Sequence, residues 1–216
     1  MDFSEYKNST VAIDQCAQEQ FYSWKKDYNV DVFYFLENKG CSFVATQQSF
    51  QELIDNRMQN SLFSSYLATQ VQSSPQTIDY NNITISKTDS SITSGFFDNG
   101  YKLKIESINM QSSQTTLWDN YAPFRRAAKS DADKSNIYYA RENNNCWVAT
   151  NDSDQIKAIK LTSNHCLRPT DLLVWMVNDS YITRQKAVWV YEKMRKKDPA
   201  WVPKDTTFAM YFRNTE

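Results

Sequence analysis

Glycine is nearly absent from this chain, and its scarcity removes whole classes of chemistry before any motif is sought. The 216 residues contain three glycines, Gly40, Gly95 and Gly100. A loop that wraps a phosphate needs glycines clustered at the start of a helix, because only they let backbone N–H groups come close enough. None of the three is placed that way with another, so dinucleotide and P-loop cradles are excluded. Histidine is scarcer still. With His165 alone, zinc sites built on two or three imidazoles are excluded as well.

The four cysteines, Cys16, Cys41, Cys146 and Cys166, contain no Cys-x-x-Cys pair, so a thioredoxin-type or zinc-ribbon reading fails. Two disulfides or four buried thiols fit the spacing. If oxidised, the expected pairs are Cys16 with Cys41 and Cys146 with Cys166, each joining neighbouring elements. The even count and the Asn/Ser/Thr-rich composition tilt the expected location toward an extracellular, periplasmic or virion setting. The N-terminal Met1–Lys7 stretch lacks the basic start and apolar core of a signal peptide. The longest apolar run, Leu172–Val177, is too short to span a bilayer.

Apolar residues make up 41% of the chain and the net charge is -1, which suits a packed core and gives no global affinity for nucleic acid. Val11, Ile13, Cys16, Ala17, Phe21 and Trp24 recur at helical spacing, predicting a helix over 10–27. Val32–Leu36 and Cys41–Ala45 flank Asn38-Lys39-Gly40 and read as a hairpin. A bent helical region follows Thr46 as far as Ser73-Ser74-Pro75. Strands are then expected at 83–85, 92–97 and 101–108, the last two joined through Asn99-Gly100. A helix over 115–129 precedes strands at 137–140, 146–149 and 156–161. Pro169 opens a short apolar element, a helix covers 181–197, and 206–212 closes as a strand. These elements predict a single α+β domain with a largely antiparallel sheet and three to five helices; a doubly wound parallel sheet fits the runs of strands worse.

Three local patterns carry chemistry. Asp131, Asp133, Ser135 and Glu142 fall at positions one, three, five and twelve of an EF-hand-like calcium loop, although Asn136 and Tyr139 depart from that pattern. Cys146 beside Trp147, with His165 as its base, is the arrangement a cysteine hydrolase would require. Residues 181–204 hold seven Lys/Arg against two acids, and Lys186, Trp189, Lys193 and Lys197 share one helical face, with Trp201 beyond it. That face suits phosphates, or alternatively a protein surface anchored by Trp189 and Trp201.

Aromatic residues account for 14% of the chain, and Tyr and Trp favour protein interfaces. The sequence therefore reads first as a non-catalytic interaction protein, such as a component of a virion, pilus or secretion assembly or a secreted effector. Its expected partner is another protein or a further copy of itself, with no cofactor. A nucleic-acid-binding protein using the basic helix, and a cysteine hydrolase, are the alternatives.

Overall fold

The computed structural model describes residues 2–46, 48–49, 84–85, 103–106, 118, 120–162, 165–197 and 208. Strand β1, Thr10–Ile13, passes directly into helix α1, Gln15–Tyr28. Helix α2, Val32–Glu37, then leads to β2, Ser42–Thr46. Strands β3, Thr84–Ile85, and β4, Leu103–Glu106, follow. The later chain alternates: α3, Ala122–Ala127; α4, Asp131–Glu142; β5, Cys146–Ala149; α5, Ser153–Leu161; β6, His165–Leu167; α6, Pro169–Asn178; and α7, Arg184–Lys197.

These strands form one sheet in the order β3-β4-β2-β1-β5-β6. Strands β4, β2, β1, β5 and β6 run parallel, and the two-residue β3 lies antiparallel at an edge. The molecule is therefore α/β, which overturns the expected α+β fold with its largely antiparallel sheet. The central strands β1, β2 and β5 are short and covered on both faces, so they lack the alternation that marks a half-exposed strand.

Period-two geometry sorts β1, β2 and β5 into two cores. Val11 and Ile13, Phe43 and Ala45, and Trp147 and Ala149 face one core with Phe21, Trp24, Phe35, Trp175 and Val190 from α1, α2, α6 and α7. Ala12, Val44, Cys146 and Val148 face the other, with Phe124, Ile137, Tyr138 and Ile159 from α3, α4 and α5. The result is a three-layer sandwich of helices, sheet and helices. Among the described residues no helix is long and apolar enough to cross a membrane.

Several expected elements change type for identifiable reasons. The first strand of the expected 32–45 hairpin is helix α2, because the Asp31 side chain accepts the Tyr34 N–H at 3.0 Å and caps it. The expected strand 137–140 lies inside α4, whose start is set by a reciprocal capping box between Ser130 and Asp133. The expected strand 156–161 belongs to α5, capped by Asp152. The expected helix 10–27 begins as strand β1. The helix expected over 181–197 starts at Arg184, where the Thr183 hydroxyl accepts the Lys186 N–H at 3.1 Å. Most of the helical region after Thr46, the strand 92–97 with its Asn99-Gly100 turn, Trp201, and the closing strand apart from Phe208 lie outside the described residues.

With glycine scarce, asparagine takes over left-handed turns: Asn8, Asn29 and Asn145 all adopt positive φ. Asn29 does so as the C-cap of α1.

Candidate functional site

In an open parallel sheet, ligands bind outside the carboxyl ends of the strands where the strand order reverses. Here that point lies beside β1, since the chain leaves β1 toward β2 on one side while β5 and β6 lie on the other. The residues that follow β1, β2 and β5 are polar and buried: Asp14, Gln15, Gln18, Thr46, Ser49 and Thr150. Ser135 and Asn136, from the second turn of α4, and Gln155, from the first turn of α5, are buried among them.

Asp14 is the centre of this cluster. It occupies the N-cap position of α1, yet its side chain makes no cap to the helix. Its carboxylate instead accepts the Cys16 thiol at 2.9 Å and the Thr150 hydroxyl at 3.0 Å on Oδ2, and the Asn136 amide at 3.2 Å on Oδ1. Asn136 is oriented in turn by the Thr46 hydroxyl, which donates to its Oδ1 at 3.1 Å. Ser135 Oγ lies 2.6 Å from the same Thr46 oxygen. One carboxylate thus gathers contacts from α1, α4 and β5, and through Asn136 from β2.

Two more carboxylates stand at the rim. Asp133 accepts the Ser130 N–H at 3.2 Å and the Gln155 side-chain amide at 3.3 Å. Asp152 accepts the backbone N–H groups of Asp154 and Gln155. Burial, then the charge of Asp133, raises the proton affinity of Asp14 against its hydrogen bonds. Asp133 is raised by burial and further by Asp152. The three acids are therefore within electrostatic reach in sequence. Gln155 Oε1 and Gln18 Oε1 are buried with no hydrogen-bond partner, so polar capacity at the site is not exhausted.

Lys129 is exposed beside these acids, its Nζ 2.6 Å from Asp154 and its charge felt by Asp152 and Asp133. Lys129 and Lys157 together hold the exposed Asp154 carboxyl down to about 2. Arg125 and Arg126 are exposed on α3 just before Lys129.

The residues singled out from sequence fall elsewhere or in other roles. Asp131, Asp133, Ser135 and Glu142 do not form a calcium loop, because the segment is helix α4. Asp131 and Glu142 sit at opposite ends of it, about 16 Å apart at the rise of a helix. Only Asp133 and Ser135 reach the cluster. Cys146 and His165 do not meet. In the sheet His165 pairs with Trp147, so it shares the face of Trp147 while the adjacent Cys146 points into the opposite core. Burial pushes the Cys146 thiol up to about 12, and the structure does not bring Cys146 and His165 together as that reading expects.

All four cysteines are free thiols, correcting the expected Cys16–Cys41 and Cys146–Cys166 disulfides. Cys16 follows the carboxyl end of β1, while Cys41 precedes the start of the parallel β2 and contacts Ser9 and Tyr6. Cys166 pairs in register with Val148, two residues from Cys146. That diagonal is about 8 Å, beyond disulfide reach. Lys186, Trp189, Lys193 and Lys197 lie on α7, away from the Asp14 cluster.

Sequence reasoning missed Asp14, Thr150 and Asp152. The signal was an acid placed directly after a short, wholly apolar run: Val11-Ala12-Ile13 before Asp14, and Trp147-Val148-Ala149 before Thr150-Asn151-Asp152.

Compared with known proteins, the chain matches no family model, no curated protein and no solved structure. The functional reading rests on the site itself.

Proposed function

We propose that this protein is a divalent-cation-dependent phosphodiesterase acting on a polyanionic substrate at the Asp14 cluster. The observation that carries the reading is the Asp14 carboxylate itself, buried at the strand-order reversal, held by three side-chain donors and set against the charge of Asp133. Crowded carboxylates with raised proton affinity are relieved by a hard cation, for which oxygen ligands are the natural set. Among the described residues no three His, Cys, Asp or Glu side chains are arranged to hold a metal unaided. Magnesium suits that restriction, because it keeps several waters and takes one or two carboxylates together with substrate phosphate.

A bound cation would supply charge neutralisation and lower the pKa of a coordinated water. The chain's own residues do the rest. Asn136, Thr150 and Cys16 fix the orientation of Asp14, and Asp133 is positioned by the Ser130 cap. Lys129, whose charge reaches Asp133 and Asp152, would attract phosphate toward the site. Hydrolysis forms a bond between water oxygen and phosphorus and breaks the ester P–O bond, and the water proton passes to the leaving oxygen.

The test is hydrolysis of an activated phosphodiester and of short RNA and DNA strands in magnesium, in manganese and in EDTA. Cation-dependent turnover lost in Asp14→Asn and Asp133→Asn supports the reading. Absence of turnover with every substrate, or turnover indifferent to EDTA and to both variants, rejects it.

A second reading keeps the non-catalytic interaction protein, self-assembling or binding another protein. It is favoured by the exposed rings of Tyr34, Tyr181 and Trp189. Trp24, Trp147 and Trp175, by contrast, are fully buried core residues, so much of the aromatic content belongs to folding. Size-exclusion chromatography with light scattering tests self-association.

A further inference from the structure

We infer that the exposed face of α7, centred on Trp189, is a second surface that binds single-stranded nucleic acid, separate from the Asp14 site. Trp189 is 41% exposed and its neighbour Val188 37% exposed, on a helix otherwise anchored through Ala187, Val190, Tyr191 and Met194. Buried Phe208 stacks on Tyr191 at 4.3 Å and completes the apolar side. The indole is held edge-on against Tyr28 of α1, with ring centroids 5.4 Å apart, which limits its freedom. Two ammonium groups lie over the ring, Lys186 Nζ at 4.5 Å and Lys193 Nζ at 5.8 Å from its centroid.

Helix α7 carries six Lys/Arg and one acid, Glu192. Glu192 is paired with Arg195 at 3.3 Å, and the nearby Asp27 is paired with Lys197 at 3.3 Å. Lys26 adds positive charge from the last turn of α1, while Lys25 beside it is paired with Asp31 at 3.3 Å. The chain as a whole has net charge -1, so this positive charge is local and the rest of the chain carries a net negative charge. A ring covered by mobile ammonium groups suits a strand with accessible bases, because a base that stacks on the indole displaces them onto its own flanking phosphates. An acidic peptide would use the lysines but leave the ring unused, and a duplex would hide its base faces.

Helix α1 relates this surface to the Asp14 site, running from Gln15 beside Asp14 to Tyr28 beside Trp189. At helical rise its 14 residues span about 20 Å. A strand held at Trp189 is thus remote from the carboxylates, and its binding does not depend on what the Asp14 site does.

The experiment is fluorescence anisotropy of a short labelled single strand, in EDTA to silence any cation chemistry, across a series of salt concentrations. Wild type is expected to bind at low salt with affinity falling steeply as salt rises. Trp189→Ala should weaken binding about tenfold, and Trp189→Tyr should largely restore it, in line with the worth of one stacked base. Lys186→Gln with Lys193→Gln should flatten the salt dependence. Circular dichroism confirms that each variant is folded. Three outcomes overturn the inference: no wild-type binding at low salt, full binding by folded Trp189→Ala, or competition by polyglutamate as effective as that by unlabelled strand, which would assign the face to an acidic protein. Strand binding without any cation-dependent hydrolysis would reject the phosphodiesterase and leave this surface standing.

Discussion

Removing the Asn136 side chain should cost stability in a way that depends on pH, and the direction follows from its place beside Asp14. Asn136 is fully buried, donates to Asp14 Oδ1 at 3.2 Å and accepts from Thr46 at 3.1 Å. A hydrogen bond to a charged group contributes about 1.5–3 kcal/mol and a neutral one about 1 kcal/mol. Asn136→Ala should therefore cost about 3 kcal/mol when Asp14 is ionised, lowering the Tm of a chain this size by roughly 6–12 °C. Thr46 keeps Ser135 as a partner, so the loss centres on Asp14. The folded Asp14 carboxyl is already raised, so its contribution is fully present below the unfolded carboxylate pKa and is lost as pH rises through the folded value. Removing a donor to the ionised form raises the folded value further. The gap between wild type and variant should then be small in acid and widen as pH rises. Asn136→Asp, which adds a carboxylate facing Asp14, should show the same trend more strongly. Urea unfolding in EDTA at a series of pH values measures it. A cost below about 1 kcal/mol, or one equal across the pH range, would refute the argument that Asn136 serves the ionised carboxylate.

Other expectations are simpler. Denatured without reductant, the protein should present four reactive thiols, whereas the native protein at mildly alkaline pH should leave Cys146 unlabelled because burial holds its thiol at about 12; rapid native labelling at Cys146 would contradict this. Gly40→Ala should cost about 1–3 kcal/mol, since Gly40 has φ +77° and an added Cβ would collide with the Asn8 side chain; an unchanged melting temperature would count against it. Cys146→Ala and His165→Ala should leave cation-dependent hydrolysis intact, because each residue begins its strand, at the end of the parallel sheet away from Asp14. Loss of turnover in a folded His165→Ala variant would contradict that placement.

The apolar segments were legible in the sequence, but their type often was not. Cys146–Ala149 reads as a strand and is one. Ile137-Tyr138-Tyr139-Ala140 looks equally strand-like, but the Ser130–Asp133 capping box fixes a helix several residues earlier. Tertiary cover on both faces also removed the alternation that would have separated parallel from antiparallel strands. As for the site, Asp133 and Ser135 were noticed for the wrong chemistry. Asp14 passed unnoticed because a lone acid after an apolar run gains meaning only when the sheet brings Thr150 and Asn136 to it. The basic face of α7 was legible because helical periodicity alone places Lys186, Trp189 and Lys193 together.

The hydrogen-bonded cluster around Asp14 also acts as a rivet. Asn136 and Ser135 tie the middle of α4 to Asp14 and to Thr46 of β2 through polar contacts, and the adjacent Ile137 and Tyr138 pack into the apolar core. In deuterated water the amides of the middle of α4 should exchange only through large-scale opening, and those of its opening turn through smaller excursions. A cation seated on Asp14 would bind only the closed arrangement. Slowing of exchange confined to the opening turns of α4 and the ends of β1 and β5 would then map occupancy of the site with no substrate present.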